Sequence, residues 1–223
     1  MRKIIFEIGE HYHVYNRGVD KRSIVMEEYD SDRFLQSLEE FNVVEPIGSI
    51  YENSFNKDKE SDTSLGNPIP KLDKLVNIVC YCLNPNHFHL LLEQVAEDGI
   101  VKFMHKLGLG YTNYFNKKYK RGGPLFGGRF KAKHIATNDY LQYVSAYINL
   151  NDRVHQIGGG DIGLVRSSWD EYLNNKKTFC DTAVILEQFG SVGEYEDYCL
   201  DTLPIVIENK KLSQELQNLG FEE

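Results

Sequence analysis

The chain has 223 residues, of which 41% are hydrophobic and 26% charged, and a formal net charge of −8. These totals exclude a low-complexity or fibrous chain, and the lack of an apolar run of about 18 residues excludes a membrane-spanning helix. The four cysteines (Cys80, Cys82, Cys180 and Cys199) are too few for a disulfide framework, and the N-terminus lacks a signal-peptide core. The expectation is a reduced, cytoplasmic protein with no membrane partner.

In chain order, His11 to Arg17 alternates and is rich in β-formers, which predicts a first strand. Tyr29 to Val44 places Phe34, Leu35, Leu38 and Phe41 at helical spacing, with Asp30 or Ser31 as N-cap. The polar stretch 52–74 reads as an insertion or disordered loop. Leu75 to Leu83 reads as a second strand, Asn84-Pro85-Asn86 as a turn, and His87 to Glu93 as the returning strand of a hairpin. Gly99 to Tyr119 is helical in pattern despite Gly108 and Gly110. Gly122 to His134 is glycine-rich, then basic and partly alternating. Asn138 to Asn151 is a further helix, with Asn138 as N-cap and Asp139 in its first turn. Gly158-Gly159-Gly160 marks a linker, followed by Trp169 to Leu173 and a helix over Ala183 to Leu200. This order predicts an α+β class, an antiparallel sheet covered by helices. It divides the chain into residues 1–157 and a C-terminal extension, 158–223.

Charge is unevenly spread. Gly99 to Asn138 holds nine Lys or Arg and no acid, whereas Glu187 to Glu223 holds nine acids against Lys210 and Lys211. A basic middle suggests a local polyanion site that the net charge conceals, although two solvated faces of unlike sign would look the same. Lys117, Lys118, Lys120, Arg121, Arg129, Lys131 and Lys133 alternate with Tyr119, Phe126 and Phe130. Cations interleaved with rings suit single-stranded nucleic acid, with phosphates on the cations and bases on the rings.

Strand alternation puts His87 and His89 on one face and Phe88 on the other. Two imidazoles side by side make half of a divalent-metal site; the alternative is a pair of hydrogen-bonded edge histidines. His11 and His13 form a second such pair, and Cys80 with Cys82 could complete a zinc site across the hairpin, although cysteines in such a strand are usually core. Tyr140, Tyr143 and Tyr147 stand at i, i+3 and i+7, and Asn151 continues that stripe one turn on. Leu141, Val144 and Ile148 form a neighbouring apolar stripe that would dock on the sheet. The tyrosines either finish the core or present a phenol, Tyr147, to a phosphodiester, with Asn151 as a third metal ligand.

Taken together, "YHVYNRGV" (12–19), "NPNHFHLLL" (84–92), "GPLFGGRFKAK" (123–133), "YINLN" (147–151) and "RSSWDEYL" (166–173) resemble, in order, the single-tyrosine HUH transposases of the insertion-sequence-200 type, the REP-associated ones in particular. The resemblance implies an RNA-recognition-like or ferredoxin-like sheet and a divalent ion, Mg²⁺ or Mn²⁺. It implies cleavage of single-stranded DNA next to a hairpin. His87, His89 and Asn151 would be ligands, and Tyr147 a nucleophile leaving a 5′-phosphotyrosine. A monomer or a homodimer would act. Asn151 is followed by Asp152, where the family often has proline. A hairpin-binding protein without chemistry, or a phosphodiesterase using water, would share these motifs.

Overall fold

The structure is a computed structural model that describes residues 4–54, 73–174 and 178–218, with side chains to residue 212. Most of the predicted insertion at 52–74 lies outside the described residues.

A five-stranded antiparallel sheet organises the chain. Its strands are β1 (His11–Arg17), β2 (Val76–Asn84), β3 (His87–Gln94), β4 (Lys131–Ile135) and β5 (Arg166–Ser167), in the order β4-β1-β3-β2-β5. Helix α1 (Glu28–Glu40) joins β1 to β2, and α2 (Gly99–Lys118) joins β3 to β4. The first four strands and two helices thus form the split β-α-β-β-α-β arrangement, in agreement with the expected ferredoxin-like α+β class.

Both faces of the sheet are buried. Tyr12, Val14, Phe88, Leu90 and Leu92 pack under α1 and α2 against Phe34, Leu38, Phe103, Leu107 and Phe115. On the other face, Cys80, Cys82 and Leu91 meet Leu141, Val144 and Ile148 of α3 (Asn138–Asn149). The same cluster includes Trp169 and Tyr172 of α5 (Trp169–Asn174), Ile185 of α6 (Ala183–Leu186), and Tyr195 and Cys199 of α7 (Val192–Asn218). A register shift between Ile78 and Cys80 lets Val79 and Cys80 both enter this second core, so an apolar run longer than simple alternation allows serves two faces.

Several sequence expectations are corrected. The N-cap of α1 is Glu27; Asp30 sits at N3 and completes a capping box. The N-cap of α3 is Thr137, whose Oγ1 accepts from Tyr140 N, not Asn138. The helix predicted to run through Asn151 ends at Asn149, breaks at Leu150, and restarts as the one-turn α4 (Asn151–Val154). Residues 159–164 form a 3₁₀ segment, and the helix expected over 183–200 is split between α6 and α7.

The break after Asn149 coincides with a set of tertiary hydrogen bonds. Asn149 donates to Tyr195 Oη at 2.8 Å, and its side-chain oxygen accepts from Ser168 Oγ at 2.6 Å. Its carbonyl accepts from Ser167 Oγ at 2.7 Å. These bonds pin the end of α3 to β5 and α7, holding Tyr147 on one side of the break and Asn151 on the other.

Candidate active site

The site lies on the second face, where the β2–β3 hairpin turns. Register pairs Arg17 with His87, Tyr15 with His89, and His13 with Leu91, so Arg17, His87, Tyr15, His89 and His13 all project to this face. On the far side of β1, Lys131 pairs with Tyr15 and Lys133 with His13.

His87 and His89 are nearly buried, at 8% and 7% exposure, and both meet polar partners there: Asn84 and Asn86 for His87, and His13 for His89. His87 Nδ1 lies 2.6 Å from Asn86 Oδ1, which can only accept. The proton of neutral His87 is therefore on Nδ1, and Nε2 accepts from Asn84 Nδ2 at 3.0 Å. His89 Nδ1 shares a 2.8 Å hydrogen bond with His13 Nε2. Burial, reinforced by the positive or titratable neighbours, lowers the pKa of His13 and His87 to about 4, of His155 to about 3, and of His89 well below its ordinary value. All four imidazoles are neutral at pH 7, each with one protonated nitrogen and one nitrogen whose lone pair is free to accept a bond.

Tyr147 arrives from α3. Its ring stands edge-on to His89, centroids 5.4 Å apart, and to His13 at 5.8 Å. Burial pushes its phenol above 10, while the adjacent Asn151 amide acts the other way. Asn151 is fully buried; its Oδ1 accepts from Asn84 Nδ2 at 2.7 Å and lies 3.2 Å from His87 Nε2. Its Nδ2 is buried without a hydrogen bond of standard geometry. Thus the phenol, both imidazoles and the amide predicted from sequence come together within one chain.

This donor set suits a divalent cation. The 3.2 Å between His87 Nε2 and Asn151 Oδ1 matches the separation of about 3 Å between adjacent ligands of an octahedral ion with bonds near 2.1 Å. The second nitrogen of His87 is fixed by Asn86, as a metal-bound histidine requires. Among the described residues, no group of three or more His, Cys, Asp or Glu could hold a metal. The zinc alternative is accordingly not assembled: the Cys80 and Cys82 thiols are buried in the second core, where burial raises their pKa values.

The basic segment is divided by the sheet. Lys131 and Lys133 are exposed on the histidine face, and Lys133 Nζ sits 4.8 Å from the Tyr140 ring centre. Lys117 and Lys120 are exposed near the end of α2, which packs on the opposite face, and Arg121 there stacks over Phe115 at 5.4 Å. Arg129 is exposed beside an apolar cavity lined by Met104, Phe126 and Phe130. Lys118 corrects the sequence reading: its ammonium is committed to Asp30 at 2.6 Å and to Glu27, between the rings of Tyr29, Tyr114 and Tyr119. That cluster braces α1 against α2 and leaves Lys118 little freedom to meet a ligand.

Sequence reasoning missed Asn84, Asn86, Tyr15, Arg17, His155 and Lys210, and ranked His13 below the other pair. The His155 ring lies 4.5 Å from that of His87. Its signal was present, since Tyr147, Asn151 and His155 recur every four residues. His13 and Arg17 needed the β1–β3 register, which a sequence does not print.

The two histidines of β3 thus stand beside Tyr147 from α3 and Asn151 from α4. Residues 69–151 match the family model described as "Transposase IS200 like", a little over a third of the chain. The matched span holds His87, His89 and Tyr147 and ends on Asn151, and this is the family that the sequence motifs resemble. Among solved structures, the chain is similar to the one described as "Structure of the REP associates tyrosine transposase bound to a REP hairpin", at 13% identity and a TM-score of 0.46, over 80% of this chain and 88% of that one. No curated protein matches.

Proposed function

We propose that this protein is a metal-dependent DNA strand transferase of the transposase type, which cuts single-stranded DNA near a hairpin through a covalent 5′-phosphotyrosine on Tyr147. The observation that carries the reading is the edge-on approach of Tyr147 to His89, at 5.4 Å, with Asn151 reaching His87 from one turn further on.

His87, His89 and Asn151 would hold the divalent ion, Mg²⁺ or Mn²⁺. When bound, it supplies positive charge that polarises a phosphate oxygen and stabilises the transition state. The chain's own groups do the rest. Tyr147 Oη attacks phosphorus, the bond from phosphorus to the upstream 3′-oxygen breaks, and that oxygen leaves as a 3′-OH, taking up a proton as the phenol loses one. Asn151 favours the phenolate against the opposing burial. The buried setting keeps bulk water from the phosphotyrosine, so a later 3′-OH can attack it and rejoin strands without ATP. Lys131 and Lys133, with Arg129, Lys117, Lys120 and Arg121 further off, would track the DNA backbone. Since Tyr147 meets the imidazoles of its own chain, one protomer carries a whole site, which supports action as a monomer.

The test is incubation with Mn²⁺ and an end-labelled, hairpin-bearing single strand, followed by denaturing electrophoresis. A labelled protein band is expected for wild type and not for Tyr147→Phe. Its strong reduction is expected for His87→Ala and His89→Ala. Salt-sensitive binding with no cleavage would favour a hairpin-binding protein, and cleavage with no covalent band would favour a water-using phosphodiesterase.

A further inference from the structure

The tail after Glu187 is acidic, yet one of its two lysines is turned toward the histidine face. Lys210, on α7, is half-buried and donates from Nζ to the carbonyl of Val154 at 3.1 Å. The next residue, His155, packs its ring 4.5 Å from His87. From the sheet side, Arg17 is the register partner of His87 and projects, exposed, from the end of β1. Two cations thus approach the same imidazole from separate elements.

Neither is spent on a structural ion pair among the described residues. An ammonium has three donors, and Lys210 uses one of them. Arg17 offers its five guanidinium donors in a planar fork suited to phosphate. Strand register and the packing of the C-terminal helix bring both charges to the His87 end of the site. Holding like charges together beside neutral imidazoles costs stability. An anion between them would relieve that repulsion, and the anion that belongs beside a DNA-cutting phenol is a backbone phosphate.

We propose that Arg17 and Lys210 together grip one phosphate of the DNA strand at the His87 end of the site, so that the C-terminal helix supplies a substrate-binding residue. This rests on the DNA reading above and deepens it. The arrangement also explains why an acidic extension packs against a nucleic-acid site: Lys210 is turned in there, while Glu194, Asp197, Asp201 and Glu208 are exposed.

The experiment measures single-strand binding by fluorescence anisotropy from 50 to 200 mM salt, with EDTA present so that no metal contributes. Each lost phosphate contact should make the slope of log affinity against log salt shallower by about 0.7. Lys210→Gln and Arg17→Gln should each show that change, about 2.5-fold across this salt range, and the double variant about twice the change in slope. Lys210→Arg should keep the wild-type slope, as should Lys211→Gln, which removes the exposed neighbouring charge. Wild-type slopes in both glutamine variants, or an equal change in Lys211→Gln, would overturn the inference while leaving the DNA reading standing. Failure of the wild type to bind single strands would overturn both.

Discussion

His87 shows how a residue is made ready for a role without carrying charge. One nitrogen is tied by a 2.6 Å bond to Asn86, so the other keeps its lone pair, which accepts from Asn84 and lies 3.2 Å from the Asn151 side-chain oxygen. Asn86→Ala removes that tie and should weaken Mn²⁺ binding about 10- to 100-fold by calorimetry, with the fold intact. Unchanged affinity would mean that His87 is not a ligand. Asp30 is the structural counterpart. Burial alone would raise its pKa, but hydrogen bonds from Lys118, Tyr119, Tyr114 and Met26 N more than offset this and hold it below the usual carboxylate range. A depressed carboxylate stabilises the fold above its unfolded pKa of about 4, and that contribution is lost as pH falls through the lower folded value. Asp30→Asn should therefore cost about 2 kcal/mol in denaturant unfolding at pH 7, because it removes the charged acceptor that Lys118, Tyr114 and Tyr119 share. The gap from wild type should shrink only below about pH 4.

Among the elements, strands were the most legible. His11 to Arg17 matched β1, and the Leu75 and His87 runs matched β2 and β3 within a residue or two. Alternation and an Asn-Pro-Asn turn are local signals, so they survive without tertiary knowledge. Helix ends were less legible because they are settled by partners. Asp30 read as a cap, but Tyr114 and Lys118 of α2 and Tyr119 just past its end also claim it; Asn138 read as a cap, but Thr137 came one residue earlier. The break at Leu150 depends on Ser167, Ser168 and Tyr195, all distant in sequence. Strand β5 has only two residues, too few for any periodicity. Close element packing also sets hard limits. A Cβ on Gly99 would lie 2.1 Å from the Leu75 carbonyl oxygen, a backbone atom. Gly99→Ala should push the start of α2 off β2 and destabilise the protein by about 2 kcal/mol or more, read from the denaturant midpoint at constant m-value. A neutral substitution there would contradict the close approach.

At the scale of the whole molecule, the sheet is a partition. One face is filled with apolar side chains beneath α1 and α2; the other is apolar except near the hairpin, where imidazoles, amides and phenols replace them. The sequence disclosed His87, His89, Tyr147 and Asn151, because strand alternation and helical spacing assign faces locally. It could not disclose that Lys118 braces the first face, that His13 bonds His89, or that Lys210 returns to the site from the end of the chain, since each is a product of packing. The partition also brings a rival phenol, Tyr15, whose ring stacks 5.5 Å from His89. The decisive measurement is therefore to trap the protein on a hairpin-bearing single strand with Mn²⁺, digest the adduct, and locate the nucleotide by mass spectrometry. The account predicts a 5′-phosphate linked to the peptide at Tyr147; linkage at Tyr15 or another residue, or strand cleavage with no linkage at all, would contradict it.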